Sequence, residues 1–258
     1  MKPFEFRNLA RAVLQHEIPF EVLKARASGT SVIRVSLQNQ SYILKYWQRK
    51  PMASLLRRIS RTGCGIKEWK ALCGMQKIGV EAPKPLYHEF VGNTEVLFME
   101  DLGACLDVIE VLKAYVLSGN IQEFTRLEDG IIGIAGKMIR NGWLDPDCRL
   151  PNFALTPGNQ LVRLDFELAY RVHTSAMLRQ DCAVMIGTLV ATHLFAMQPQ
   201  TMRSLPFAER LLQSVAIPPG IAHASDRIVE QIIAKQKRLS GIDTKIPFRL
   251  GDILCPKC

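Results

Sequence analysis

Apolar and polar residues alternate through the early part of the chain. Residues 18–27 and 31–37 carry alternating or β-branched side chains around Ser28-Gly29-Thr30, the pattern of a hairpin with a small-residue turn. A second turn at Gln38-Asn39-Gln40 leads into Ser41-Tyr42-Ile43-Leu44-Lys45-Tyr46-Trp47, which predicts a three-strand meander. The period then changes. Pro51 opens a stretch with Leu55, Leu56 and Ile59 at helical spacing, Gly63 and Gly65 interrupt it, and Ile66, Trp69, Leu72 and Cys73 place one apolar face on a second helix that carries Glu68 and ends at Gly79. Val96-Leu97-Phe98-Met99 is an apolar run of strand length, followed by Glu100-Asp101 and Leu102-Gly103.

Beyond Gly103 the pattern becomes mainly helical. From Ile121 to Asn141, apolar residues recur at Phe124, Leu127, Ile131, Ile134, Ala135 and Met138 before Gly142 closes the helix. Two strand-like runs, Phe153–Leu155 and Gln160–Leu164, flank the turn Thr156-Pro157-Gly158-Asn159. The apolar stretch Cys182–Met197 is shorter than the roughly 20 residues of a membrane span and contains Thr188, Thr192 and His193, so it reads as a buried core helix. A strand-rich lobe at 1–102, a helical lobe at 103–258 and a cleft between them are the expected organisation.

Composition narrows the class. Hydrophobic residues at 48% and charged residues at 22% fit a folded globular chain rather than long disorder. The net charge of +9 implies a surface that attracts anions such as nucleotide phosphates, anionic lipid, phosphorylated sugars or nucleic acid. Basic residues crowd between Lys45 and Lys70, at Arg49, Lys50, Arg57, Arg58, Arg61 and Lys67, with Glu68 the lone acid; a solvated helix face and an anion patch both fit. Aromatic residues, 7% of the chain, do not alternate with this run, so no stacking platform for nucleic acid is expected. Residues 1–10 carry charges and no continuous apolar stretch, unlike a secretory signal. Seven scattered cysteines fit a reducing cytosol, and the terminal pair Cys255 and Cys258 lacks partners for a zinc site. His88, His173 and His193 stand at no ligand spacing and read as structural.

The polar residues fall in a telling order: Lys45 on the third strand, Glu68 on a following helix, Asp147 and Asn152 in a loop, and Asp165 after a hairpin. Asp147-Cys148-Arg149-Leu150-Pro151-Asn152 resembles the catalytic loop of the protein-kinase-like superfamily, with Asp and Asn five apart. Leu164-Asp165-Phe166-Glu167 resembles its metal-binding Asp-Phe-Gly motif, with Glu167 in place of glycine. Tyr42-Ile43-Leu44-Lys45 is similar to the strand bearing the phosphate-contacting lysine, and Lys67-Glu68-Trp69-Lys70-Ala71-Leu72 to the helix whose glutamate pairs with that lysine. Within the superfamily the details lean toward bacterial lipopolysaccharide kinases acting on Kdo or heptose, over roughly residues 20–195.

The resemblance implies an α+β, bilobal protein-kinase-like fold, an antiparallel sheet with its helix preceding a mainly helical lobe. It implies ATP and Mg2+ as cofactors. Asp147 would orient the acceptor hydroxyl or take its proton, with Asn152 and Asp165 on magnesium and Lys45, braced by Glu68, on the α/β-phosphates. Arg149 would neutralise the transferred phosphate. Gly29 would let a hairpin backbone approach the phosphates, and backbone groups near Glu100 and Leu102 would face adenine. Asp181 resembles the aspartate that steadies the catalytic loop in kinases. Asp145, which stands with Pro146 where the family has histidine or tyrosine, is a competing base. The expected acceptor is an anionic sugar of the lipopolysaccharide type, with the protein cytoplasmic or peripheral on the cytoplasmic face of the inner membrane. A small-molecule kinase of the aminoglycoside or choline type and a pseudokinase binding module are the other readings.

Overall fold

The computed structural model describes residues 2–25, 29–37, 40–48, 50–60, 62–172, 175–241 and 243–254, with the side chains of 175–179 outside the description. Ser28, Gln38, Asn39, Arg49, Arg61, His173, Cys255 and Cys258 therefore lie outside the described residues. The chain divides into two compact units, one comprising Met1–Gly103 with Asp165–Glu167, the other Ala104–Leu164 with Leu168–Cys258.

The first unit opens on α1 (Pro3–Leu14), with Pro3 at its first position, where a missing N–H costs nothing. Phe6, Leu9, Ala10 and Val13 form its buried stripe. The strands are β1 (Glu21–Ala25), β2 (Thr30–Leu37) and β3 (Gln40–Gln48), followed by helices α2 (Pro51–Ser60) and α3 (Cys64–Lys77), then β4 (Pro85–Val91) and β5 (Thr94–Glu100). The strands form one antiparallel sheet in the order β1-β2-β3-β5-β4. The stripe of α1 packs against Ile33, Val35, Tyr42, Leu44, Val96 and Phe98 of one sheet face. Because side chains alternate along a strand, Lys45 points to the other face from Leu44.

The structure adds three features to these patterns. Residues 3–14 form an amphipathic helix whose four buried apolar residues are spaced for one face. In α3 the buried side chains are Glu68, Ala71, Leu72 and Met75, while Ile66, Trp69 and Cys73 are half-buried; the helix is rotated so that a glutamate, not a tryptophan, enters the interior. In α2, Leu55, Leu56 and Ile59 turn outward, and it is Ser54 that is buried.

The start of α3 is held by Glu95. Its Oε1 accepts from the Ile66 amide at 2.7 Å and meets His88 Nε2 at 2.9 Å. Gly63 and Gly65 make room: a Cβ would lie 2.3 Å from Glu95 Oε1 at Gly63 and 2.8 Å from the Trp47 ring at Gly65. Burial alone would raise the Glu95 pKa, but His88 and the amides of Ile66 and Gly65 reverse this and hold it below the usual carboxylate range. A depressed carboxylate stabilises the fold above its unfolded pKa and loses that contribution as pH falls through the folded one. Glu95→Gln is therefore expected to lower stability by about 1–3 kcal/mol at neutral pH. The gap from wild type should narrow in thermal melts as pH drops below 4.5, the ordinary value.

The second unit contains β6 (Leu106–Asp107), α4 (Val108–Ser118), α5 (Ile121–Arg140), β7 (Trp143–Leu144), β8 (Phe153–Leu155), β9 (Leu161–Arg163) and β10 (Tyr170–Arg171). These precede α6 (Ser175–Ala196), α7 (Ser204–Val215), α8 (Pro219–Ser240) and α9 (Leu250–Leu254). Strands β6-β8-β9 form one small antiparallel sheet and β7-β10 another. The stretch 182–197 is a buried core segment, and among the described residues no helix is long and apolar enough to cross a membrane. In the interior, His193 bridges Ser204 Oγ (2.9 Å) and Glu128 Oε1 (2.8 Å), and Glu128 also pairs with Arg210. Ser204, His193 and Glu128 are all buried, so this Ser-His-Glu set ties α5, α6 and α7 together and offers no nucleophile to a substrate. Asp226 of α8 accepts from the amides of Leu250 and Gly251 at 2.7 and 3.0 Å, docking the segment at 250–254 that the sequence leaves unassigned.

Candidate active site

Two clusters hold the residues singled out in the sequence. In the first unit, Lys45 lies on β3, an interior strand of the sheet, and is almost fully buried, so it is not an edge charge. Its Nζ is 2.7 Å from Glu68 Oε2, 2.8 Å from Asp165 Oδ1 and 3.6 Å from Glu167 Oε2. Burial would lower the lysine pKa, but Glu68 and Asp165 outweigh it and raise it above the usual lysine range. The ammonium stays charged. Burial is also the largest influence on Glu68: with Asp165 and Glu167 adding like charge, it is pushed up to about 7 despite Lys45.

Glu68, Asp165 and Glu167 present carboxylate oxygens within 4.8 Å of one another. The cluster carries net negative charge, and an all-oxygen donor set suits a hard dication such as Mg2+. Asp165 and Glu167 fit that role; Glu68 is committed to Lys45. Asp165 has a φ of 56°, a left-handed backbone that is uncommon for a residue with a side chain and is often found where geometry serves a site. Glu167, the residue replacing glycine in the Asp-Phe-Gly pattern, thus joins the cluster, a role the sequence reading did not assign.

Gly29 has a φ of 80°, its carbonyl accepts from the Gln48 amide at 2.8 Å, and a Cβ would sit 2.8 Å from Gln48 O. The glycine is required for this close approach within the sheet. At the end of β5 the Glu100 amide donates to Lys84 O at 2.9 Å. Leu102 follows in a turn where Asp101 Oδ1 accepts from the Gly103 amide at 3.0 Å and Asp101 Oδ2 from Arg34 Nε at 2.7 Å. Arg34 went unremarked in the sequence.

In the second unit the loop between β7 and β8 is organised by Arg163 of β9. Arg163 and Asp145 have fully buried side chains and pair at 2.5 Å. Arg163 Nη2 also donates to Asp147 O at 3.1 Å and Nη1 to Asn152 O at 3.3 Å, and the guanidinium lies 5.3 Å from the Phe153 ring centroid. Asp145 Oδ1 accepts from the Asp147 amide at 2.9 Å. Both Asp145 oxygens are therefore engaged in the interior, which removes it as a competing base. Asp147 keeps 28% of its side chain exposed. Asn152 donates from Nδ2 to Asp147 Oδ2 at 3.0 Å and Asp147 O at 2.9 Å, which fixes its amide orientation. Arg149 Nε is 3.0 Å from Asp147 Oδ1.

The loop is anchored from α6. Thr192 Oγ1 accepts from the Leu150 amide at 3.1 Å, whereas Asp181 bonds Tyr170, whose pKa burial and Asp181 push above its usual range. The Leu164 amide donates to Asn152 O at 2.7 Å, so the loop holds the residue immediately before Asp165. Cys148, in the middle of the loop, is buried and its thiol is pushed up to about 12, which makes it inert as a nucleophile.

The chain has a protein-kinase-like fold, with an N-terminal antiparallel sheet and a mainly helical C-terminal part. Among solved structures it is similar to WaaP in complex with acyl carrier protein, with a TM-score of 0.62 over 90% of this chain and 92% of that one, at 16% sequence identity. No protein-family model and no curated protein matches the sequence.

Proposed function

We propose that the protein is an ATP- and magnesium-dependent phosphotransferase that moves a γ-phosphate onto a hydroxyl of an anionic sugar acceptor of the lipopolysaccharide-core type. The observation that carries this reading is the placement of Lys45 among Glu68, Asp165 and Glu167. A buried, permanently charged lysine braced by a glutamate is a phosphate hook, and the adjoining carboxylates suit a magnesium ion. The resemblance of the motifs to those of lipopolysaccharide kinases, together with the fold shared with WaaP, supports the acceptor class.

When bound, ATP supplies the phosphoryl group and magnesium the countercharge for it. Lys45 then holds the α/β-phosphates while Glu68 fixes the lysine, and Gly29 keeps the hairpin backbone close-packed beside them. Backbone groups at Glu100 and Leu102 receive adenine. Asp165 and Glu167 would hold the metal, with Asn152 as the further ligand that the motif resemblance implies. Asp147 orients the acceptor hydroxyl and takes its proton, and Arg149 neutralises the phosphate being transferred. Catalysis of this type is positioning and charge stabilisation, which is why the loop is tied down at so many backbone atoms.

The charge of +9 favours an anionic acceptor over the cationic ones of aminoglycoside- or choline-type kinases. It also fits a cytoplasmic protein held at the anionic face of the inner membrane, and no nucleic-acid partner is proposed because aromatic residues do not alternate with the basic run. The test is magnesium-dependent ATP binding and turnover with lipopolysaccharide core as acceptor, for wild type and Asp165→Ala. Removing a metal ligand is expected to cut transfer about a thousandfold. Absence of ATP binding in wild type would sink the kinase reading, and equal binding by both proteins with no transfer would make the chain a pseudokinase.

A further inference from the structure

The apolar residues of α2 repeat at 52, 55, 56 and 59, a stripe about 100° wide on a helix. In a helix packed on a body this stripe faces inward. Here Met52, Leu55, Leu56 and Ile59 are 69%, 52%, 62% and 72% exposed, and the opposite side, at Ser54, is buried. The helix is seated by its polar back and holds its greasy side to solvent, the reverse of α1. Arg58 borders the stripe and Lys50 precedes it, whereas Arg57 sits half-buried toward the back with its Nη1 on Cys64 Sγ at 3.5 Å, and from 46 to 67 the chain has no Asp or Glu.

We infer that α2 is an interfacial anchor that lies in the headgroup layer of an anionic lipid bilayer, burying Met52, Leu55, Leu56 and Ile59 beneath lipid phosphates paired with Lys50 and Arg58. Long basic side chains beside an apolar stripe reach back to the headgroups while the stripe enters the acyl boundary. The charge pattern selects this occupant. Two copies meeting through their α2 stripes would gather Lys50 and Arg58 of both around one apolar seam, with no acid between 46 and 67 to offset them. A folded protein partner needs about 800 Å² on each side, more than one ridge of 10 residues and about 15 Å supplies. A bilayer accepts a convex ridge without a complementary pocket. The inference extends the membrane association proposed above and does not rest on phosphoryl transfer.

The experiment is flotation of the full chain with vesicles of phosphatidylcholine alone and of phosphatidylcholine mixed with phosphatidylglycerol. Magnesium-dependent ATP binding and thermal melts are measured alongside on the same preparations. Wild type should bind the mixed vesicles, less as salt rises. The pair Leu55→Asp and Ile59→Asp should lower partitioning at least about tenfold. Lys50→Gln with Arg58→Gln should lower it about 10- to 30-fold on anionic vesicles only. Melting and ATP binding should not change in either variant, so loss of vesicle binding with intact ATP binding is separate from failure of the kinase reading. The inference is overturned if wild type binds neither vesicle, if the Asp variant binds as wild type does, or if wild type is a dimer that the Asp variant makes monomeric.

Discussion

Asp147→Asn is expected to lower the rate of phosphoryl transfer about 10²- to 10⁴-fold, the range for loss of a positioned general base, with ATP binding and melting temperature close to wild type. The substitution keeps the shape of the side chain and removes its ability to take a proton. The loop survives because its anchors are elsewhere: the Asp147 amide is held by Asp145, and its carbonyl by Arg163 and Asn152. What is lost locally is an ion pair with the partly exposed Arg149, at most about 1 kcal/mol. Asp145→Asn makes the opposite prediction. Its carboxylate is fully buried on Arg163, so the variant should melt lower and, where folded, keep transferring phosphate. Comparing kcat and melting temperature for the two variants separates the base from the brace. A catalytic loss at Asp145 with none at Asp147 would reverse the assignment.

The parts legible in the sequence were those where chemistry needs particular residues at fixed separations. Asp147 and Asn152 five apart, and Lys45, Glu68 and Asp165 in order, pointed to two clusters that the structure assembles in their respective units. Long apolar periodicities were equally readable, as at Ile121–Arg140, while the apolar stretch Cys182–Met197 marked only the later part of α6, which begins at Ser175. Periodicity alone does not say which side of a helix meets the protein. The stripe of α2 has an ideal inward-facing spacing and points out, and α3 is turned by Glu68, which Lys45 draws into the interior at a desolvation cost no hydrophobic pattern records. α1 was overlooked because its four buried residues are interleaved with charges, and β4, α4, α7 and α8 because their neighbours carried the stronger signals.

Arginine 163 shows the same limit at the site. The run Leu161-Val162-Arg163-Leu164 has a visible clue, an arginine within a short apolar strand, but its partners lie 11 to 18 residues back, where only the fold brings them into reach. Arg163→Met is expected to be the most damaging single change in the second unit. It leaves Asp145 as a buried carboxylate without its countercharge and strips donors from the carbonyls of Asp147 and Asn152. Breaking one half of a buried pair costs about 3–5 kcal/mol, which for a chain of this size lowers the melting temperature by roughly 10 °C. The double variant Arg163→Met with Asp145→Asn separates the two consequences. It removes the stranded charge while the asparagine carbonyl still accepts from the Asp147 amide, so a large part of the stability should return. Phosphoryl transfer should not return with it, because the guanidinium that joins the two carbonyls is gone, leaving Asn152 Nδ2 on Asp147 O and the Leu164 amide on Asn152 O without a common tie. Thermal melts and single-turnover rates on both proteins decide the matter. Recovery of rate together with stability would mean that Arg163 serves the fold alone; recovery of stability without rate assigns it the positioning of the catalytic loop.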